Sequence, residues 1–130
     1  MHRRWLGTIL IALVVPLAAC GGGSSKSSVP CPPAADTRAA VDGKVTVCGF
    51  DIRFDVKTIT APAGPLTVTF VNKGSIAHTF VIDNPKFELS APSKNSSKTG
   101  TVTLAKGTYK FKCTVDSHDQ AGMHGTIEVS

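Results

Sequence analysis

Tyr109-Lys-Phe-Lys-Cys113-Thr-Val-Asp-Ser-His118-Asp-Gln-Ala-Gly-Met123-His-Gly-Thr-Ile-Glu-Val129 reads as a strand, a tight loop and a second strand. Tyr109 and Phe111 alternate with Lys110 and Lys112, and Ile127 and Val129 alternate with Thr126 and Glu128. Period two is the signature of a strand with one buried face. Between the strands stand a thiol, an imidazole and a thioether at intervals of five residues. Side chains that close in sequence converge only on one tight loop, because an extended strand would carry them too far apart.

The same alternation runs upstream. Val45 and Val47 flank Thr46. Ile52, Phe54 and Val56 alternate with Asp51, Arg53, Asp55 and Lys57. Leu66, Val68 and Phe70 alternate with Thr67 and Thr69, and Phe80 with Ile82 and Val102 with Leu104 continue the series. Pro62-Ala-Gly64-Pro65, Asn72-Lys-Gly74, Asp83-Asn-Pro85 and Lys106-Gly107 separate the runs as turns. No segment sustains a helical period, and Asp83 to Lys98 is the least regular part. Short strands with regular turn signals predict an all-β sandwich or barrel of about eight strands.

The N-terminus reads as an address. His2, Arg3 and Arg4 precede a twelve-residue apolar stretch from Leu6 to Leu17, too short to span a bilayer and suited to a secretory signal over residues 1–19. Leu17-Ala18-Ala19-Cys20 resembles a bacterial lipobox. That resemblance implies a lipidated Cys20, whereas an ordinary signal peptide would leave the cysteine a coincidence. Residues 20–30 form a Gly/Ser-rich tether, and residues 31–130 a single folded domain. The expected location is the outer face of the bacterial cell membrane or the periplasm, anchored by lipid. Without Arg3 and Arg4, 12 basic residues face 9 acidic ones. A net charge of +3 with no aromatic-basic interleaving argues against nucleic acid as partner. Lys86, Lys94, Lys98, Lys106, Lys110 and Lys112 read as a solvated face, with a docking patch for an acidic partner as the alternative.

Each of the four cysteines needs a fate. With Cys20 assigned to lipid, an oxidising compartment leaves one pair and one single thiol. Cys113 has metal-ligand neighbours and is the single one. Cys31 and Cys48 then pair, unless both remain inert thiols. The bridge would tie the proline-rich lead onto the strand at Val45.

A thiolate and imidazoles with a weak axial thioether are the donors of a copper electron-transfer site. Cys113, His118 and Met123 supply three of them. His78 stands at the mouth of the Thr79-Phe-Val-Ile82 strand and can supply the second imidazole. Taken singly, each residue has a blander reading: core cysteine, loop or surface histidine, core methionine. His124 falls on the opposite parity to Met123 and reads as a surface residue.

Gly107-Thr-Tyr-Lys-Phe-Lys-Cys113, His118 and Ala121-Gly-Met123-His-Gly125-Thr-Ile-Glu-Val129 resemble the C-terminal signature of the plastocyanin/azurin family of cupredoxins. Asn72-Lys-Gly74 through His78-Thr-Phe80 resembles that family's upstream ligand segment. The resemblance covers roughly Lys44 to Ser130. It implies a Greek-key β-sandwich holding one copper, cycling between Cu(I) and Cu(II), on His78, Cys113, His118 and Met123. It further implies that Asn72 and Thr79 brace the ligands, Thr79 standing where the family often has Asn. Asp116-Ser117 replaces the family's frequent Pro-Gly pair, and a carboxylate at Asp116 or Asp119 would favour the oxidised metal. His118 inherits the role of electron port, within a small apolar collar of Ile76, Ala77, Ala121 and Gly122.

The function implied is a single-electron carrier, not an enzyme, working as a monomer with a redox donor and a redox acceptor as its partners. A copper-delivery or copper-buffering protein of the cell envelope is the alternative. Zinc on a Cys-His-His set would leave Met123 without a purpose.

Overall fold

The alternating runs become strands in a computed structural model that describes residues 29–130; the signal, Cys20 and most of the tether lie outside the described residues. Ten strands are present among those residues: β1 (Ala35–Ala39), β2 (Lys44–Phe50), β3 (Arg53–Phe54), β4 (Val56–Ala61), β5 (Gly64–Asn72), β6 (His78–Ile82), β7 (Phe87–Ala91), β8 (Ser97–Leu104), β9 (Gly107–Lys112) and β10 (His124–Val129). They form a six-stranded sheet in the order β1-β4-β10-β9-β6-β7 and a four-stranded sheet in the order β3-β2-β5-β8. The all-β sandwich expected from the alternation is the fold.

The apolar alternates fill the space between the sheets. Val47, Val68 and Phe70 from the small sheet meet Ile59, Phe80, Phe111 and Ile127 from the large one, all fully buried. The Phe80 and Phe111 rings stack at 4.8 Å, and Phe54 packs edge-on against Phe70, Phe80 and Phe111. Aromatic burial on this scale is the main apolar contribution to a core of this size.

Two expectations change. The run Ile52-Phe54-Val56 is not one strand. β3 pairs with β2 in the small sheet, whereas β4 pairs with β1 and β10 in the large one. The chain crosses between sheets at Asp55, so Phe54, Asp55 and Val56 are buried in succession while Ile52 is 46% exposed. Alternation fails there because the chain has a sheet on each side of it. Strand β1 was also unforeseen, since Ala-Asp-Thr-Arg-Ala carries no apolar alternation. It is held by parallel pairing to β4 and by Arg38. The Arg38 guanidinium donates to Asp55 Oδ2 (3.0 Å), Thr46 O (2.8 Å) and Pro33 O (2.8 Å).

Topology also positions the site. β9 runs antiparallel to both β6 and β10. The start of β6, the end of β9 and the start of β10 therefore share one rim of the large sheet. His78 opens β6, Cys113 follows β9 and Met123 precedes β10.

Candidate metal centre

The loop between β9 and β10 is closed by its own backbone. Cys113 N–H donates to Met123 O (3.0 Å), and Met123 N–H donates to His118 O (2.9 Å). Within it, His118 N–H reaches Val115 O and Gly122 N–H reaches Asp119 O. Asp116 takes a left-handed φ of 41°, which aspartate tolerates better than most residues.

Three donor groups converge inside this rim. Cys113 Sγ lies 3.5 Å from His118 Nδ1 and 3.9 Å from His78 Nδ1, and the donor atoms of the three residues all lie within 4.8 Å of one another. His78 and Cys113 are fully buried, and His118 is 8% exposed. Burial, followed by the neighbouring His118, lowers the pKa of His78 below its usual 6.5, with Asp51 acting in the opposite sense. A neutral imidazole keeps a lone pair free for a metal. Met123 is fully buried at the end of the same loop. Gly49 gives it room, because a Cβ there would stand 3.2 Å from Met123 Cε.

The surrounding groups fix these side chains. Thr79 N–H points to Cys113 Sγ at 3.4 Å, and Thr79 Oγ1 lies 3.8 Å from it. The same hydroxyl accepts Thr114 N–H at 2.8 Å, joining the His78 strand to the Cys113 loop. Asn72 is fully buried and ties the turn ahead of His78 to the end of β7. Its Nδ2 donates to Ile76 O (2.7 Å) and Ala91 O (2.9 Å), and its Oδ1 accepts Gly74 N–H (2.8 Å).

Other sequence-derived candidates lie apart from the donors. His124 is exposed, with Nδ1 3.0 Å from Asp119 Oδ1 and 3.1 Å from Asp119 O. The Asp119 carboxylate is thus engaged by His124, and Asp116 is exposed. Cys31 and Cys48 form a disulfide with a Cα–Cα distance of 6.0 Å. Lys112 pairs with Asp83 at 2.7 Å, and Lys86, Lys94, Lys98, Lys106 and Lys110 are exposed.

Sequence reasoning missed three contributors. Thr114 meets Thr79, Gly49 accommodates Met123, and Gly74 lies against His78, where a Cβ would stand 2.9 Å from Nε2. Only the glycine of Asn72-Lys-Gly74 left a trace, and it read as a turn.

A soft thiol beside two Nδ1 atoms in a buried pocket can hold a soft metal ion and shield it from water. A family model described as cupredoxin-like domain matches residues 10–129. No curated protein matches the sequence. Among solved structures, reduced auracyanin from the photosynthetic bacterium Roseiflexus castenholzii is similar at 24% identity and a TM-score of 0.63, over 70% of this chain and 99% of that one. Rusticyanin from Thiobacillus ferrooxidans is similar at 25% identity and a TM-score of 0.60, over 74% of this chain and 83% of that one. Auracyanin A, a "blue" copper protein from Chloroflexus aurantiacus, shares the fold at 21% identity and a TM-score of 0.59, over 67% of this chain and 98% of that one.

Proposed function

The chain belongs to the cupredoxin-like family, and from that premise we propose that it carries single electrons with one copper held by His78, Cys113 and His118, and by Met123 as a weak axial donor. The observation that carries this reading is the meeting of two Nδ1 atoms and one thiol at 3.5 and 3.9 Å. Metal–nitrogen bonds near 2.0 Å and metal–sulfur bonds near 2.3 Å, the lengths typical of these donors, need nitrogen–sulfur separations of roughly 3.5–4 Å in a trigonal arrangement. The residues present therefore fit the ion with little rearrangement.

Copper, when bound, supplies two oxidation states one electron apart. The chain supplies everything else. Cys113 offers sulfur in a pocket closed to water, and Thr79 N–H points at that sulfur and disperses its negative charge. The Thr79–Thr114 link and the Asn72 amide hold the ligand segments in place, so that the donors are set before the metal arrives. His118 is the donor residue with a solvent-reaching edge, at 8% exposure against 0% for His78, Cys113 and Met123. That edge, with exposed Ile76 nearby in the ligand segment, suits electron exchange in a brief encounter with a redox protein. Attachment to a membrane through Cys20 completes the proposal, supported by the lipobox-like Leu17-Ala-Ala-Cys20.

Adding Cu(II) to the purified domain tests the reading. One equivalent should give an intense blue charge-transfer band and protect Cys113 from alkylation. A colourless product with the thiol still reactive would overturn it. Retention of Cu(I) alone, released readily to a chelator, would favour the delivery alternative.

A further inference from the structure

His78 Nε2 is buried and has no hydrogen-bond partner among the described residues. A buried ring nitrogen without a partner is rare and costly. In a metal-bound histidine the second nitrogen normally donates its proton to an oxygen, which fixes both tautomer and orientation.

The neighbouring acceptors are largely spoken for. Asn72 Oδ1 takes Gly74 N–H, and Gly49 O takes the N–H groups of Lys73 and Gly74. Asp51 is different. It sits on the exposed turn between β2 and β3, and its carboxylate leans over the turn ahead of His78. Oδ1 accepts Ser75 N–H at 3.2 Å and Ser75 Oγ at 3.3 Å, which leaves Oδ2 to take another donor. A Cβ on Gly74 would lie 2.9 Å from His78 Nε2 and 3.2 Å from Asp51 Oδ1. No more than about 6 Å therefore separates the ring nitrogen from the carboxylate, and Gly74 puts no side chain between them. That gap closes through one bridging water or a rotation of Asp51.

We infer that Asp51 is a positioning residue for the upstream copper ligand: its carboxylate accepts the Nε2–H of His78 and so keeps Nδ1 proton-free and aimed at Cys113. The inference rests on the copper reading above. It assigns to a turn in the small sheet the control of a ligand in the large one, and it gives Gly74 a reason: any side chain there would fill the passage.

Asp51→Ala, Asp51→Asn and Ser75→Ala separate positioning from loop bracing. Ring nitrogen-15 shifts of His78 in the metal-free protein report the tautomer, and copper competition titrations report affinity. Asp51→Ala should lose the Nε2–H tautomer and weaken copper binding about 10–100-fold, the usual cost of losing such a partner. Asp51→Asn keeps an acceptor oxygen and should restore the tautomer and most of the affinity. Ser75→Ala should leave both readouts at wild-type values. The inference is overturned if Asp51→Ala keeps the tautomer with affinity within twofold of wild type. It is also overturned if Ser75→Ala reproduces the Asp51→Ala losses, for then Asp51 only braces the turn. A wild-type protein that never turns blue would defeat the electron-carrier reading, while the nitrogen-15 measurement would still decide the Asp51–His78 contact.

Discussion

Polar groups are buried in two places, and they are treated in opposite ways. Around Asp55 each group is answered by another. Oδ1 accepts Cys48 N–H at 2.8 Å, Oδ2 accepts the Arg38 guanidinium at 3.0 Å, and the backbone N–H donates to Cys48 O at 2.9 Å. Around Cys113 the lone-pair-bearing groups face one another instead. A thiol and two Nδ1 atoms meet at 3.5 and 3.9 Å. A satisfied cluster specifies how the chain crosses between sheets. A convergent cluster of soft donors suits an ion, because one positive charge can satisfy several lone pairs at once.

The largest effect should come from breaking the satisfied cluster. Asp55→Ala leaves the guanidinium without its counter-charge and the Cys48 N–H without its acceptor, and urea unfolding should show a loss of about 3–5 kcal/mol. Burial holds the Asp55 carboxyl above its usual 3.8, against the opposing pull of Cys48 N–H and Arg38. As pH falls, the folded chain takes that proton before the unfolded chain does. The linked stabilisation is therefore present below 3.8 and disappears as pH rises through the folded value. The stability of wild type relative to Asp55→Asn should decline across that window. A difference that stays flat refutes the assignment.

Next comes the disulfide that pins the same region. It spans 17 residues, and replacing Cys31 and Cys48 together by alanine should cost about 3 kcal/mol on the chain-entropy model. The blue band of copper-loaded protein should survive the change.

Cys113→Ala probes the other cluster and should do the reverse. The band should vanish, while the metal-free protein loses only about 1 kcal/mol, the scale of a small cavity. A metal-free loss as large as that of Asp55→Ala would erase the contrast between the two clusters. Smallest of all, Asp116→Asn and Asp119→Asn should raise the reduction potential by on the order of 20 mV each, as for a charge roughly 10 Å away in water. If both leave the potential unmoved, these carboxylates do not favour the oxidised metal.

Much of the site was legible because Cys113, His118 and Met123 fall within one loop, where closeness in sequence forces closeness in space. His78 was legible through its place at a strand mouth and the family resemblance of its segment. Asp51 was not, because its approach to Ser75 and His78 depends on how the β2–β3 turn meets the turn ahead of β6. The crossing at Asp55 was hidden for a related reason. Ile52, Phe54 and Val56 keep perfect period two on paper, and only the second sheet reveals that Asp55 is buried between them.

Residue pattern alone determined that this chain forms strands, buries one face of each and gathers soft donors on a loop, since period and spacing are local properties. Tertiary structure decided which strands stand side by side, that β9 lies antiparallel to both β6 and β10, and that Gly49, Asp51 and Gly74 surround the donors. Those outcomes depend on register between strands distant along the chain, and pairing energy between such strands is not written in either strand by itself.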